Sequence, residues 1–332
     1  MQAYESTLHL FTANIRTIRK VFRWQNTLSV RLAAIILASA GKQADAKAML
    51  TAKELIKRNA GVFSNLRGIA GMPLIALISQ SERPQEVIGN TIRVQELLKG
   101  ARFWRNNYLA VAAAQIALNT QPSQYTATVS RARDFYDWMR KSHPLITGAD
   151  DYILSCMLAA AGLDAEPASA EMDNLMALLT PHFKGSPNVR QSLAQALVLG
   201  TSRADTSLSR EHAVARIVAL REALREKRLK PGAQIAAVLG ILSLLPGEPE
   251  AIAEQVADCY AALLTVKGFS RIEGKQVILL FAASLVTCGI ADELLNSTAN
   301  AALANMVTNL IIAQQAAVIA ATSAAAAASS SS

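Results

Sequence analysis

The chain is poor in the residues that build most catalytic and metal centres. Its 332 residues include only three cysteines and four histidines. No two cysteines form a C-x-x-C pair, no two histidines form a helical H-x-x-x-H pair, and no Glu-x-x-His is present, which excludes the common helical zinc and di-iron motifs. A phosphate-cradling glycine motif and a G-x-S-x-G nucleophile motif are also missing. We therefore predict no cofactor and no metal site.

The three cysteines, Cys156, Cys259 and Cys288, each lie within an apolar segment. An odd number of cysteines without a regular spacing offers no disulfide framework and fits a reducing compartment. We expect all three thiols to pack in the core as small apolar side chains, and we expect a cytoplasmic protein.

Aromatic residues are also scarce, at 5% of the chain, although hydrophobic residues make up 52%. The apolar positions are mostly Ala, Leu, Ile and Val, and small side chains let helices approach one another closely. No long segment alternates apolar and polar residues as a half-buried strand would. The composition and the periodicity both predict an all-α fold.

The strongest positive pattern is a recurring unit of roughly 41 residues, a length typical of stacked helix pairs. Each unit has a short Ala/Leu-rich apolar helix followed by an amphipathic helix, and a further amphipathic helix over residues 4–24 precedes the first unit. The seven apolar segments begin at Leu32, Ile69, Leu109, Leu154, Leu193, Ile235 and Leu279. Because such pairs bury their apolar faces against their neighbours, we predict tandem helix-pair repeats, an α-solenoid-like array or α/α superhelix of about seven units.

No long linker divides the chain, so we predict one helical-repeat domain over residues 1–300, with a softer boundary near residue 145 where the charge changes. No charged side chain follows Glu293. We predict a capping helix over residues 301–323 and a low-complexity Ala/Ser tail over residues 324–332. Several asparagines and glutamines interrupt the apolar window at this end, so we expect no integral membrane anchor.

Charge is distributed unevenly around a net value of +8. Residues 1–145 hold 20 Lys and Arg against 8 Asp and Glu, whereas residues 146–332 hold 13 against 17. A basic half is able to attract nucleic acid, anionic lipid or an acidic protein. No basic cluster is as dense as a typical nucleic-acid arm, and surface helices need charge for solubility in any case.

The connections between units carry the candidate functional residues. In a stacked array, every connection from a second helix to the next first helix emerges on the same edge. The polar, charged and aromatic residues of these connections are therefore the predicted partner-binding residues: Arg67, Trp104, Arg105, Asn106, Asn107, His143, Asp150 and Asp151.

One of these connections contains Trp104 and Arg105 followed by two asparagines. An aromatic platform, a guanidinium and two amides together suit the binding of a planar or anionic group. The structural alternative is a buried Trp104 that anchors the loop, while Asn106 and Asn107 cap a helix that begins at Tyr108.

The other connection contains Asp150 and Asp151, with His143 a few residues earlier. Two carboxylates are suited to binding a cation, or to acting with the imidazole as acid and base. The structural alternative is a helix N-terminus, where acidic side chains interact favourably with the helix dipole.

Two stretches in these connections have a family resemblance. They are Phe-Trp-Arg-Asn-Asn-Tyr at residues 103–108 and Leu-Ile-Thr-Gly-Ala-Asp-Asp-Tyr at residues 145–152. With the Ala/Ser tail that follows Gln314 and Gln315, the chain resembles over nearly its whole length a bacterial family known as domain of unknown function 4003. The resemblance implies a bacterial, cytoplasmic protein without an assigned activity, and it transfers no catalytic residue.

The leading hypothesis is a non-enzymatic helical-repeat scaffold that binds a protein or peptide partner through the loop edge or a concave face. One alternative is an enzyme that uses Asp150, Asp151 and His143 in a pocket between repeats. A second alternative is nucleic-acid binding through the basic N-terminal half.

Overall fold

The computed structural model describes residues 4–61, 64–67, 71–201, 209–267, 269 and 274–295. Within these ranges the chain forms fourteen α-helices, two 3₁₀ turns and no strand, which confirms the predicted all-α fold. The helices are α1 (Tyr4–Val21), α2 (Thr27–Ser39), α3 (Ala46–Asn59), α4 (Gly71–Ser79), α5 (Pro84–Gly100), α6 (Asn107–Asn119), α7 (Tyr125–Ser142), α8 (Asp151–Ala160), α9 (Ala165–Leu179), α10 (Pro187–Thr201), α11 (Arg210–Glu226), α12 (Ala236–Leu242), α13 (Pro249–Thr265) and α14 (Lys275–Leu295). The predicted capping helix at 301–323 and the tail at 324–332 lie outside the described residues.

Two kinds of helix alternate along the chain. The helices α2, α4, α6, α8, α10 and α12 contain runs of consecutive buried residues that cover all their faces, as their Ala/Leu-rich sequences require. The amphipathic helices between them bury a single stripe, as α5 does with Ile88, Thr91, Val94, Gln95 and Leu98. Such a stripe at three- and four-residue spacing is the mark of a helix with one face on the core and one in solvent.

Local sequence signals set where these helices begin. The Asn26 side chain accepts a hydrogen bond from the Ser29 amide at 2.8 Å and so caps α2. Asp45 accepts from the amides of Lys47 and Ala48 and caps α3. Each cap satisfies backbone donors that have no partner within the helix. Proline occupies the first position of α5, α10 and α13, where its missing amide hydrogen costs nothing.

Residues 10–166 form one compact unit, the N-terminal unit, which contains most of α1 and all of α2 to α8. Apolar helices pack on apolar helices, α2 on α4 and α6 on α8, while amphipathic α5 packs on both α3 and α7. The two kinds are joined by packing of α3 on α4, α5 on α6 and α7 on α8. The unit therefore has two layers of helices.

A buried asparagine ties α1 into the N-terminal unit. Asn14 is completely buried, and its amide nitrogen donates to the carbonyls of Lys42 at 3.0 Å and Ala34 at 3.4 Å. Its side-chain oxygen accepts from the Ala44 amide at 2.7 Å. One polar side chain thus satisfies three backbone groups of α2 and of the turn that follows it.

Residues 4–9 and 167–295 belong to a second compact unit, the C-terminal unit. In it α10 packs on α12, α12 on α14, α11 on α13 and α13 on α14. Gly240 of α12 lies so close to α10 that an added Cβ would be 3.0 Å from the Cβ of Ala196. Small residues at this crossing bring the two helices into close contact. The prediction of a single domain over residues 1–300 stays a prediction.

The segment Lys275–Glu293 of α14 is long and apolar enough, by length and composition, to cross a membrane. In the structure, however, most of this segment is buried inside the protein. Such burial is what the core helix of a globular unit shows.

All three cysteines are fully buried, as the sequence predicts. Burial raises the pKa of the Cys156 thiol, and it also raises the pKa values of Cys259 and Cys288, each with a smaller contribution from a neighbouring aspartate. The thiolate is the reactive form, so we expect none of the three to react rapidly with a thiol reagent at pH 8 in the native protein. Spectrophotometric titration with a disulfide reagent should release three equivalents only after denaturation, and a rapid native equivalent would contradict this placement.

Candidate functional site

The connection between α5 and α6, residues 101–106, presents Trp104 to solvent. The neighbouring Phe103 is buried, and its ring centroid lies 4.9 Å from that of Tyr152 and 5.6 Å from that of Tyr136. The backbone amide of Trp104 donates to the Tyr152 hydroxyl at 3.3 Å, whereas its indole side chain is 81% exposed. The prediction that a buried Trp104 anchors this loop is therefore wrong, because Phe103 is the anchor.

Arg133 of α7 stabilises the same loop from outside. Its guanidinium lies over the rings of Phe103 and Tyr136, at 5.6 and 5.4 Å from their centroids. It also donates to the carbonyl of Arg102 at 3.0 Å and forms an ion pair with Asp137. Arg102 itself has a left-handed backbone, with φ of 66°. The loop is thus held in one conformation by packing, cation–π contact and hydrogen bonds.

The two asparagines of this connection have structural partners. Asn106 is the cap of α6, and its side-chain oxygen accepts from the Leu109 amide at 2.8 Å. The capping role predicted for Asn106 is confirmed. Asn107 is the first residue of α6, so the helix begins one residue earlier than predicted. The Asn107 side-chain oxygen accepts a hydrogen bond at 3.3 Å from the side-chain amide nitrogen of Asn65, which lies in the turn after α3.

Arg67 lies in that turn and is half-buried. Its guanidinium donates to the carbonyl of Lys57 in the last turn of α3. A cation at this position also complements the partial negative charge of a helix C-terminus. Arg105, by contrast, is exposed beside Trp104.

The connection between α7 and α8, residues 143–150, is tied down by a threonine. The Thr147 hydroxyl lies within hydrogen-bonding distance of two carbonyl oxygens, those of His143 at 2.9 Å and Met139 at 3.0 Å, which share its one hydrogen. The imidazole of His143 packs edge-on against Trp138, with centroids 5.7 Å apart. Between these fixed points Leu145 projects outward, with 97% of the side chain exposed.

The aspartate pair lies at the beginning of α8, as the structural alternative predicted. Asp151 is buried, and its carboxylate accepts from the Gly148 amide at 2.9 Å. Asp150 is exposed and precedes the helix. Burial, and secondarily the charge of Asp150, raise the pKa of Tyr108. The Asp151 carboxylate therefore has a structural role in the turn, and both acids are favourably placed near the helix dipole.

The structure brings several predicted residues onto three contacting connections of the N-terminal unit. The side chain of Asn65, in the α3–α4 connection, is hydrogen-bonded to that of Asn107. The backbone of Trp104, in the α5–α6 connection, is hydrogen-bonded to Tyr152 of α8. The charge of Asp150, in the α7–α8 connection, contributes to the raised pKa of Tyr108 on α6. Among the described residues, no group of three or more His, Cys, Asp and Glu side chains is placed to hold a metal ion. The geometry is that of rigid loops with exposed side chains, which suits binding.

The residue that the sequence analysis missed is Trp24. It lies in the connection between α1 and α2, and 98% of its side chain is exposed. The connection is held by Arg19, which donates to the Gln25 carbonyl at 2.9 Å. Its position offered a signal, since Trp24 follows an amphipathic helix and precedes an apolar one, as Trp104 does.

Comparison with known proteins gives one match. No curated protein and no solved structure is detectably similar to this chain. A family model described as "Protein of unknown function (DUF4003)" matches residues 14–316, a range that includes every candidate residue described above. The family resemblance of the two connections is thereby confirmed, and the chain belongs to the DUF4003 family.

Proposed function

We propose that this protein is a non-enzymatic helical-repeat scaffold that binds a protein or peptide partner. Binding takes place on the connections at residues 22–26, 64–67, 101–106 and 143–150, which together form the loop edge. The observation that carries the proposal is Trp104, a large apolar side chain that is 81% exposed on a loop fixed on both sides. Tryptophan is the residue most enriched at binding hot spots, and a rigid loop loses little entropy on binding.

The helix packing supports an array of about seven helix pairs, which is part of the proposal. In the N-terminal unit the apolar helices α2 and α4 pack together, as do α6 and α8, and the amphipathic helix α5 packs on α3 and on α7, so these pairs join helices two apart in the chain. The C-terminal unit has the same alternation, with α10, α12 and α14 in contact and α11 next to α13. In an array of this kind, equivalent connections lie on one edge.

The aspartates favour the scaffold over the alternative of an Asp/His enzyme. A general base needs an available carboxylate within hydrogen-bonding reach of a substrate. Asp151 is buried, and its carboxylate is hydrogen-bonded to Gly148 of its own turn.

The test is affinity capture from a lysate of the source organism with the intact protein and a Trp104→Ala, Arg105→Ala double variant. We expect the intact protein to retain a specific protein that the double variant loses, because the variant lacks the apolar anchor and its neighbouring cation. The melting temperature should change by less than about 2 °C, since both side chains are exposed. Quantitative mass spectrometry and differential scanning calorimetry measure the two effects.

Leu50→Ala is the matched control, because Leu50 is a partly exposed apolar residue on the outer surface of α3, away from the loop edge. It should retain the same proteins as the intact chain. If the double variant and the intact protein retain identical proteins, the loop edge is not the binding surface and the proposal fails.

A further inference from the structure

We propose that the loop edge binds an extended acidic segment of a partner polypeptide, with apolar side chains of that segment anchored on Trp24, Trp104 and Leu145. This inference rests on the proposed function and specifies the chemistry of the partner. It is carried by three observations: the distribution of exposed apolar residues, the rigidity of the loops that hold them, and the charge around them.

The exposed apolar residues are concentrated on the loop edge. Among the described residues, five large apolar side chains are exposed, and Leu50 and Leu118 are exposed by only 41% and 38%. The remaining three are at least 81% exposed, and all three lie on connections of the loop edge, in three different loops. Apolar surface that is so fully hydrated and so localised marks an interaction site.

Each of the three loops is fixed by its own contacts. Arg19 holds the loop of Trp24 through the Gln25 carbonyl. Phe103 anchors the loop of Trp104 in an aromatic cluster, and Thr147 closes the loop of Leu145 with a hydrogen bond shared between two carbonyls. A partner that binds here meets preformed anchors, so the binding energy is not spent on ordering the loops.

The charge around the anchors is positive. The loop edge carries three exposed cations, each one or two residues from a tryptophan anchor: Arg23, Arg102 and Arg105. Two more exposed cations, Arg140 and Lys141, lie in the last turn of α7, just before the connection of Leu145. On the same connections Asp150 is the one exposed carboxylate, since Asp151 is buried. A basic rim around apolar anchors complements a segment that alternates acidic and apolar residues.

A polypeptide suits these anchors better than a single-stranded nucleic acid does. Bases bind by stacking on aromatic rings, and Leu145 offers no ring for stacking. Apolar peptide side chains, in contrast, pack equally well on an aliphatic or an aromatic anchor.

Helix spacing predicts the pattern of the bound segment. Packed helices lie about 8–10 Å apart, so the connections of Trp24 and Trp104, two helix pairs apart, are expected to be separated by at least roughly 20 Å. An extended chain spans this distance in about six residues. The connections of Trp104 and Leu145 are one helix pair apart, a distance of about 10 Å that an extended peptide spans in about three residues.

The experiment is selection of random twelve-residue peptides by phage display on the full-length protein, followed by fluorescence polarisation with the synthetic consensus peptide. We expect enriched peptides to have a net negative charge and apolar residues about three or six positions apart. Trp24→Ala and Trp104→Ala should each weaken binding by about tenfold to thirtyfold, the effect typical of a hot-spot tryptophan. Leu118→Ala, which alters an exposed leucine at the other end of α6, should leave the affinity unchanged.

Charge is tested separately with Arg105→Glu and with salt. Charge reversal at Arg105 and an increase from low to high ionic strength should both weaken binding of the acidic peptide. A sequence-scrambled peptide of equal charge should bind less tightly, because charge alone does not supply the apolar anchoring. A twelve-residue oligothymidine is the nucleic-acid probe and should not compete with the peptide.

The results separate this inference from the proposed function. Failure to enrich acidic peptides, equal binding by the tryptophan variants, or tighter binding of oligothymidine would overturn the inference. If the affinity capture still yields a protein that depends on Trp104 and Arg105, the scaffold function stands and the partner is recognised as a folded domain. If that capture shows no dependence on the loop edge, the proposed function itself has failed.

Discussion

Replacement of Phe281 by alanine is expected to lower the free energy of unfolding of the C-terminal unit by about 3–5 kcal/mol. Phe281 lies on α14 and is completely buried, and its ring meets that of Phe269 edge-on with centroids 5.9 Å apart. The truncation removes the apolar burial of a whole ring and leaves a cavity in a close-packed core. Urea denaturation followed by circular dichroism at 222 nm measures the loss.

The matched control is Phe281→Leu, which keeps most of the apolar volume at the same position. It should cost less than about 1.5 kcal/mol. Equal effects of the two substitutions would show that the ring of Phe281 does not fill the core as described.

Replacement of Asn14 by alanine is expected to destabilise the N-terminal unit by about 3 kcal/mol. The change leaves the Ala44 amide and the carbonyls of Ala34 and Lys42 without their side-chain partner in the interior. A buried backbone group without a hydrogen-bond partner costs the full free energy of removing it from water. All three tryptophans of the chain, Trp24, Trp104 and Trp138, lie within residues 10–166, so tryptophan fluorescence during urea denaturation follows this unit.

Asn59→Ala is the control for this substitution. Asn59 is exposed at the end of α3, where its side chain donates to the Leu55 carbonyl in contact with water. Its removal should change the free energy of unfolding by less than about 0.5 kcal/mol. A similar loss of unfolding free energy at both positions would mean that the buried hydrogen bonds of Asn14 contribute no more to stability than the exposed one of Asn59.

The helices were predictable because their signals are local. The switch between fully apolar and one-sided apolar periodicity marks α2, α3 and the helices that follow, and caps such as Asp45 mark their first residues. Asn14 was not predictable, because periodicity places it within the apolar stripe of α1 without indicating a polar residue there. Its partners lie 20 to 30 residues away and become visible only in the packed structure.

The candidate site was predictable in position but not in detail. The alternation of apolar and amphipathic segments indicated where the connections lie, and most of the named residues are in them, whereas Asn107 and Asp151 are the first residues of α6 and α8. Phe103 and Trp104 are adjacent aromatic residues in a loop, so no periodicity decides which of them is buried. The decision comes from Tyr136 and Tyr152, which supply a pocket for the smaller ring. Trp24 was overlooked although its connection is equivalent to that of Trp104. Leu145 was overlooked because exposure of a single apolar residue leaves no mark on the sequence pattern.

The packing of helices that are close in sequence has a consequence for how each unit is made. Apart from residues 4–9 of α1, which belong to the same unit as residues 167–295, the helices that pack most extensively in both units are immediate or second neighbours along the chain. Bringing such segments together closes only short lengths of chain, and the entropy lost in closing a loop grows with its length. Structures with this low contact order fold rapidly. Folding can nucleate at any pair of adjacent helices and propagate in either direction along the chain.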